Sequence, residues 1–427
     1  MKKIIAMLLV LSMVLAMAAC GVKKDEATPD EATTAPTTAP TTTAATEPTT
    51  EPAEDTPYVP PLGVEVYGKT SYTVTDQELL DNHDRVVATV GGRELTLGVL
   101  QIYYWMSVFG FLNEYGAYAS YFGLDLTKPL DQQKNPDGDF TWQQYFLSYA
   151  VDTWHSYQCL AIQAEAEGSP LDEEMKTELE NLATDLEKAA QEGKYESVEQ
   201  MIQSEIAPGI TYDDYYSYLS VYYSSISHYL YRIENMEITD EMIETYFNEN
   251  EEALAEAEIT KEAGKVVDVR HILLSPQGGT TDAYGTTTYT DDEWAAAEKK
   301  AQNVLNLWKN GDKDEDFFAE LAGLHTEDPG SKETGGLYED VKSGKMTKEF
   351  DAWCFDASRK YGDTGIVKTT YGYHVMFYSG EEALWKHECR EAVREELISK
   401  FVNEAVDAYE LEADFEGMML GHVDLAG

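Results

Sequence analysis

Apolar positions recur at helical spacing through the first half of the chain, change to short strand-like runs past residue 265, and return to helical spacing near the end. In 141–168 they fall at Trp142, Tyr145, Phe146, Tyr149, Val151 and Trp154, which predicts one long amphipathic helix. Stretches 97–109, 172–192 and 212–234 read as further helices. So does 238–250, where Thr239 stands as N-cap with Glu241 and Glu244 close behind. Ahead of them, VVATVGGREL (86–95) reads as a strand pair turned by Gly91-Gly92. From 269 the order is different: a strand-like run VRHILL, a helix at 294–309, a Gly-rich stretch, a helical run in GKMTKEFDAWCF, and a closing strand-like run YGYHVMFY. At 382–412 a recurring face carries Leu384, Trp385, Val393, Leu397, Phe401, Val402 and Val406, which predicts a last long helix. Such a mixture defines an α+β protein.

The first residues carry another pattern. Lys2 and Lys3 precede an apolar run at 4–17 and then Ala18-Ala19-Cys20, the layout of a secretory signal at 1–19. The run is short of the ~20 residues that cross a bilayer. Its end resembles a bacterial lipobox, which implies cleavage before Cys20 and a diacylglycerol on its sulfur. The alternative is an ordinary signal with an incidental cysteine. A lipid would anchor the protein to a membrane without spanning it. Residues 20–61 are largely Thr, Pro, Ala and Glu, too poor in apolar side chains to fold, and read as a disordered tether.

Composition narrows the function. The net charge of -48 leaves no basic surface to neutralise phosphates, so nucleic acid is excluded as a partner. A solvated acidic surface is the simplest account of that charge, ahead of steering of cationic or unfolded clients. With Cys20 lipidated, Cys159, Cys354 and Cys389 remain, an odd set without a CxxC, so a disulfide framework is not expected. Cys354 lies in an apolar helical segment and reads as a buried thiol. The 29 tyrosines gather at Tyr103, Tyr104, Tyr115, Tyr118 and Tyr121 and through 212–231. Most are expected in the core, some along a groove.

Two histidines, His271 and His374, sit inside the first and last strand-like runs of 269–378. Between them come FFAELAGLHTEDPGSKETGG and GKMTKEF. The whole series resembles the parvulin family of peptidyl-prolyl cis/trans isomerases. That family runs from a His-Ile-Leu strand through an Asp- or Cys-bearing turn, a Gly-Gly loop and an M-xxx-F helix to a closing T-xx-G-xH. The resemblance implies roles. His271 and His374 would be the paired inner histidines, Asp328 the acid beside the amide, and Thr369 the strand threonine supporting the histidines. Met346 and Phe350 would cradle the proline ring, with Tyr338 and Tyr371 at the substrate rim. The Gly-Gly loop departs from the pattern: its apolar Leu is Tyr338, its next Gly is Glu339 and its Phe is Val341. Tyr371 stands where some members have Ser. The first loop holds no Arg/Lys cluster, which argues against a phosphate-reading parvulin.

VVATVGGRELT and ITDEMIETYFNEN stand ahead of that series, as in extracytoplasmic foldases of the PrsA and SurA type. That resemblance implies a helical chaperone-like domain at 62–265 with a small N-terminal strand pair. A parvulin domain of antiparallel sheet flanked by helices follows at 266–380, and a C-terminal helix at 381–427 packs back on the helical domain. An independent helix that forms a homodimer is the alternative for the last segment. The partners implied are unfolded or nascent secreted polypeptides with X–Pro bonds, and a membrane reached through the lipid. Localisation would be extracytoplasmic.

Prolyl isomerisation needs no metal or cofactor, and none is expected. His271 and His374 lack an HExxH or a third ligand at helical spacing. Asp312, Asp314 and Asp316 mimic the start of a calcium loop. But position six is Phe317 rather than Gly and position twelve is Gly323 rather than Glu, so a solvated helix start is the better account. No G-x-S-x-G and no Cys/His dyad points to nucleophilic catalysis. Two functions remain: an isomerising foldase, and a holding chaperone whose parvulin domain is a scaffold. A solute-binding lipoprotein would need repeated strand–helix alternation in two lobes, which the pattern lacks.

Overall fold

A computed structural model describes residues 69–281, 287–422 and 425. The signal at 1–19, Cys20 and the tether at 20–61 lie outside the described residues. The rest divides into two compact units, one ending at Glu237 and resuming at Glu395, the other Ile238–Arg394.

The first unit is mainly helical. After α1 (Asp76–Asn82), strands β1 (Val86–Val90) and β2 (Arg93–Thr96) form the expected hairpin. Gly91 and Gly92 both take positive φ there, 55° and 81°, which side chains disfavour. Helices α2 (Leu97–Tyr115), α3 (Trp142–Glu167), α4 (Glu173–Gly193), α5 (Val198–Glu205) and α6 (Tyr212–Glu234) follow. Caps fix their starts: Thr141 with Gln144 and Thr211 with Asp214 form capping boxes, and Asp172 caps α4. Tyr103, Trp154, Tyr157, Tyr218 and Tyr222 share one buried core. Tyr104 is buried as well, whereas Tyr118 and Tyr121 are exposed at 67% and 87%. Gly98 lets α6 dock, since a Cβ there would lie 2.3 Å from the Asp214 carboxylate.

The second unit opens with α7 (Asp240–Glu249), capped by Thr239, and α8 (Glu251–Glu256). Strand β3 (Lys265–Leu274) is followed by the short β4 (Thr280–Thr281) and β5 (Thr287–Thr288). Next come α9 (Asp291–Asn310), α10 (Glu315–His325), β6 (Leu337–Lys342), α11 (Lys348–Cys354), β7 (Thr364–Lys368) and β8 (Tyr373–Ala383). Asp314 is the N-cap of α10, the solvated helix start read from the Asp run. The sheet runs β6-β3-β8-β7, antiparallel throughout.

Side chains alternate across a strand, and here the alternation sorts two cores. Ile272, Leu274, Tyr373, Val375 and Phe377 meet α9 and α10. Val267, Val269, Met376 and Tyr378 meet Phe350 and Cys354 of α11. His271 and His374 belong to this second face by parity.

Helix α12 (Leu384–Asp407) and β9 (Leu411–Ala413) follow. Two expectations change here. The helix read over 382–412 is shorter at both ends. Glu382 still pairs with Val266 in the sheet, and Glu412 is extended to pair with Thr89. The expected N-terminal strand pair is therefore a three-stranded sheet, ordered β2-β1-β9. Trp385 and Cys389 of α12 bury Ile243 and Phe247 of α7 within the second unit. Cys159, Cys354 and Cys389 are buried free thiols, and burial pushes Cys354 up to about 12. No helix among the described residues is long and apolar enough to cross a membrane.

Candidate active site

The register places His271 opposite Met376 and Leu273 opposite His374. The two histidines are thus diagonal neighbours on one face of an antiparallel pair, within reach of long side chains. Their Nδ1 atoms lie 3.1 Å apart, and both residues are buried. A contact of that length between two ring nitrogens needs one proton between them.

Each ring is anchored at its far nitrogen. His374 Nε2 meets Thr369 Oγ1 at 2.8 Å, and Thr369 Oγ1 accepts the Tyr371 backbone N–H at 3.1 Å. His271 Nε2 lies 3.1 Å from Asp328 Oδ2. An ionised carboxylate only accepts, so His271 Nε2 carries the proton facing it.

Asp328 is held by its own turn. Thr326 Oγ1 accepts the Asp328 N–H at 3.2 Å and the Leu273 N–H at 3.1 Å, tying the turn to β3. Tyr338 Oη donates to Asp328 Oδ2 at 2.9 Å, and Ser331 Oγ also donates to it. Gly336 lets β6 approach: it has φ 78°, its carbonyl accepts the His271 N–H at 2.7 Å, and a Cβ there would stand 2.3 Å from the His271 carbonyl.

Rings close the site. Phe350 is 3% exposed and edge-on to both imidazoles, at centroid distances of 5.6 Å to His271 and 5.4 Å to His374. Tyr338 stacks on His271 at 4.7 Å. Met346 is half-buried against the same cluster. Tyr371 gives its backbone N–H to the network, while its side chain is among the exposed ones at 66%. The fold thus brings together His271, His374, Asp328, Thr369, Tyr338 and Phe350. Ser331, fully buried and 3.2 Å from His271 Nε2, is absent from the sequence-based set. Asp328-Pro329-Gly330-Ser331 is a turn sequence that brings its fourth residue back over the first, and that signal could have found it. Among the described residues, no group of three His, Cys, Asp or Glu is placed to hold a metal ion.

The electrostatics follow from these contacts. The His271 hydrogen bond, then those of Ser331 and Tyr338, hold the Asp328 carboxyl well below the usual range. Burial and the neighbouring His271 push His374 down to about 3, against the pull of Asp328. A histidine depressed in this way contributes stability in full above its ordinary value of about 6.5, lost as pH falls from there towards the folded value. Asp328, also depressed, loses its contribution only at lower pH. Urea unfolding followed from about pH 7 to about pH 4 should show stability falling by up to about 1.4 kcal/mol per pH unit through His374. His374→Asn should flatten that slope; an equal slope in both proteins would exclude His374 as its source.

Residues 253–379 match the family described as the PPIC-type PPIASE domain. This stretch is a parvulin-type peptidyl-prolyl isomerase domain. The chain is similar to foldases. It is 31% identical over 142 residues to foldase protein PrsA 1 of Listeria innocua, covering 33% of this chain and 35% of that protein. It is 28% identical over 196 residues to foldase protein PrsA of Halalkalibacterium halodurans, covering 44% and 48%. The matched region thus spans between about a third and a half of these relatives' length. Among solved structures, PrsA from Bacillus subtilis aligns with 66% of this chain and 92% of its own, at 20% identity and a TM-score of 0.31.

Proposed function

We propose that this protein is a membrane-anchored foldase that isomerises prolyl bonds in secreted, unfolded polypeptides outside the cytoplasm. The observation that carries the proposal is the buried His271–His374 pair tied to an ionised Asp328 beside the Phe350 ring. Rotation about a peptide bond crosses ~18–20 kcal/mol because resonance is lost in the twisted state. The two X–Pro isomers are nearly equal in energy, so a catalyst needs only to bind the twisted amide better than either planar form. Phe350 and Met346 would hold the pyrrolidine ring, with Tyr338 and Tyr371 at the rim. Asp328 would face the amide, and His271, His374 and Thr369 would hold Asp328 in place by a fixed chain of protons. No bond is made or broken, and no cofactor takes part.

In this proposal isomerisation belongs to 266–380, and holding of unfolded chains belongs to the helical part at 62–265 with 381–427. A holding chaperone with a silent parvulin domain is the second reading. The exposed Tyr118 and Tyr121 of the helical unit favour it. A protease-coupled isomerisation assay on a prolyl peptide, run beside suppression of client aggregation, separates the two. Suppression without isomerisation would leave only the holding role.

The anchor is proposed from Ala18-Ala19-Cys20 behind a short apolar run. Cys20→Ala is expected to give soluble or unprocessed protein on membrane fractionation. Mature Cys20→Ala protein that still sediments with membranes would rule out the lipid.

A further inference from the structure

Tyr338 replaces the apolar Leu of the parvulin pattern, and it makes two contacts that a leucine cannot combine. Its hydroxyl donates to Asp328 Oδ2 at 2.9 Å, and its ring stacks on His271 with the planes 25° apart. Ser331 adds a second hydroxyl to the same oxygen from a fully buried position. Three donors, His271 Nε2–H, Ser331 Oγ–H and Tyr338 Oη–H, therefore converge on Oδ2. None of the three uses Oδ1, and the Asp328 side chain keeps 17% exposure. Gly330 does not crowd the carboxylate: a Cβ there would stand 3.8 Å from Oδ1, and 4.0 Å from both Oδ2 and Tyr338 Oη.

We propose that Tyr338 is a positioning residue of this site: with Ser331 it clamps Asp328 by Oδ2 and steadies the His271 ring, so that Oδ1 is the oxygen presented to the prolyl amide. The inference rests on the isomerase reading for its substrate, but the clamp itself can be observed without activity. A carboxylate on a turn can pivot about its side-chain torsions. Donors fixed on one oxygen remove that freedom before substrate arrives, which is where preorganised electrostatics gain their effect. Burial and the adjacent Asp328 push the Tyr338 hydroxyl above its ordinary range, so it remains a donor at neutral pH.

The test compares the full chain with Tyr338→Phe, which keeps the ring, and Tyr338→Leu, which loses ring and hydroxyl. Losing one hydrogen bond to a charged acceptor should lower kcat for a prolyl peptide about tenfold in Tyr338→Phe, with KM changed less than about twofold. Tyr338→Leu should lose more, because the stack on His271 goes too. Nitrogen-resolved NMR of the imidazoles should show the His271 Nε2–H signal displaced or broadened in Tyr338→Phe, while the circular dichroism spectrum stays as in wild type. Unchanged kcat and unchanged imidazole signals in a folded Tyr338→Phe would overturn the proposal. A wild type that does not isomerise would end the isomerase reading instead, and the imidazole signals would still decide whether Tyr338 holds Asp328.

Discussion

Replacing Asp328 by Ala is expected to lower prolyl isomerisation about a hundredfold, the range seen when one preorganised electrostatic group is removed from a transition state. The change leaves the His271 Nε2–H and the Ser331 and Tyr338 hydroxyls without their common acceptor. Each buried donor so orphaned costs about 1–3 kcal/mol, so some loss of stability accompanies the loss of rate. Asp328→Asn separates two ways in which the acid can act. Asparagine keeps an oxygen to accept from His271 but carries no charge. If the carboxylate acts on the twisted amide electrostatically, Asn should be nearly as slow as Ala. If Asp328 only orders the histidine protons, Asn should keep most of the rate. Kinetics of both variants, with circular dichroism as a folding control, make the distinction.

Phe350→Ala is expected to slow isomerisation by about tenfold to a hundredfold, from an apolar contact worth ~1.5–3 kcal/mol made mostly in the transition state. Phe350 also belongs to the core between β3, β8 and α11. Truncating a buried phenylalanine costs about 3–5 kcal/mol of stability. Phe350→Leu keeps most of the volume and loses the edge contacts with the imidazoles, so it should fold and show an intermediate rate. Suppression of client aggregation should survive both substitutions, because that task is assigned to the helical unit. A folded Phe350→Leu with wild-type rate would remove the ring from the mechanism.

The parts of this site legible in the sequence are those that the resemblance to the parvulin pattern supplies: His271, His374, Asp328, Thr369, Met346 and Phe350. His271 and His374 lie in strand-like runs, and in the paired strands their parity puts both on the face that meets α11. Phe350 was named from the M-xxx-F motif of the resemblance, and the structure places it on α11 facing both histidines. Helices α3 and α6 were legible to within a residue, α3 from apolar positions recurring at helical spacing. What escaped depends on partners distant in sequence. Ser331 matters only because the turn returns it beneath His271. Strand β9 exists because β1 offers an unpaired edge, and nothing in Leu411–Ala413 marks it as a strand by itself. The start of α12 was misplaced because β8 continues to Ala383 before the helix begins. Tyr338 was legible as a departure, but its bond to Asp328 needed the turn and β6 side by side.

The central claim is that the second unit accelerates exchange between cis and trans prolyl isomers without covalent chemistry. Exchange spectroscopy by NMR on a short peptide with one X–Pro bond reads this directly, since uncatalysed exchange takes ~10–100 s. The account predicts that catalytic amounts of the wild-type chain bring cis–trans exchange into the range of the experiment, and that Asp328→Ala largely abolishes the effect. Exchange cross-peaks no stronger with the wild-type chain than with buffer would contradict it.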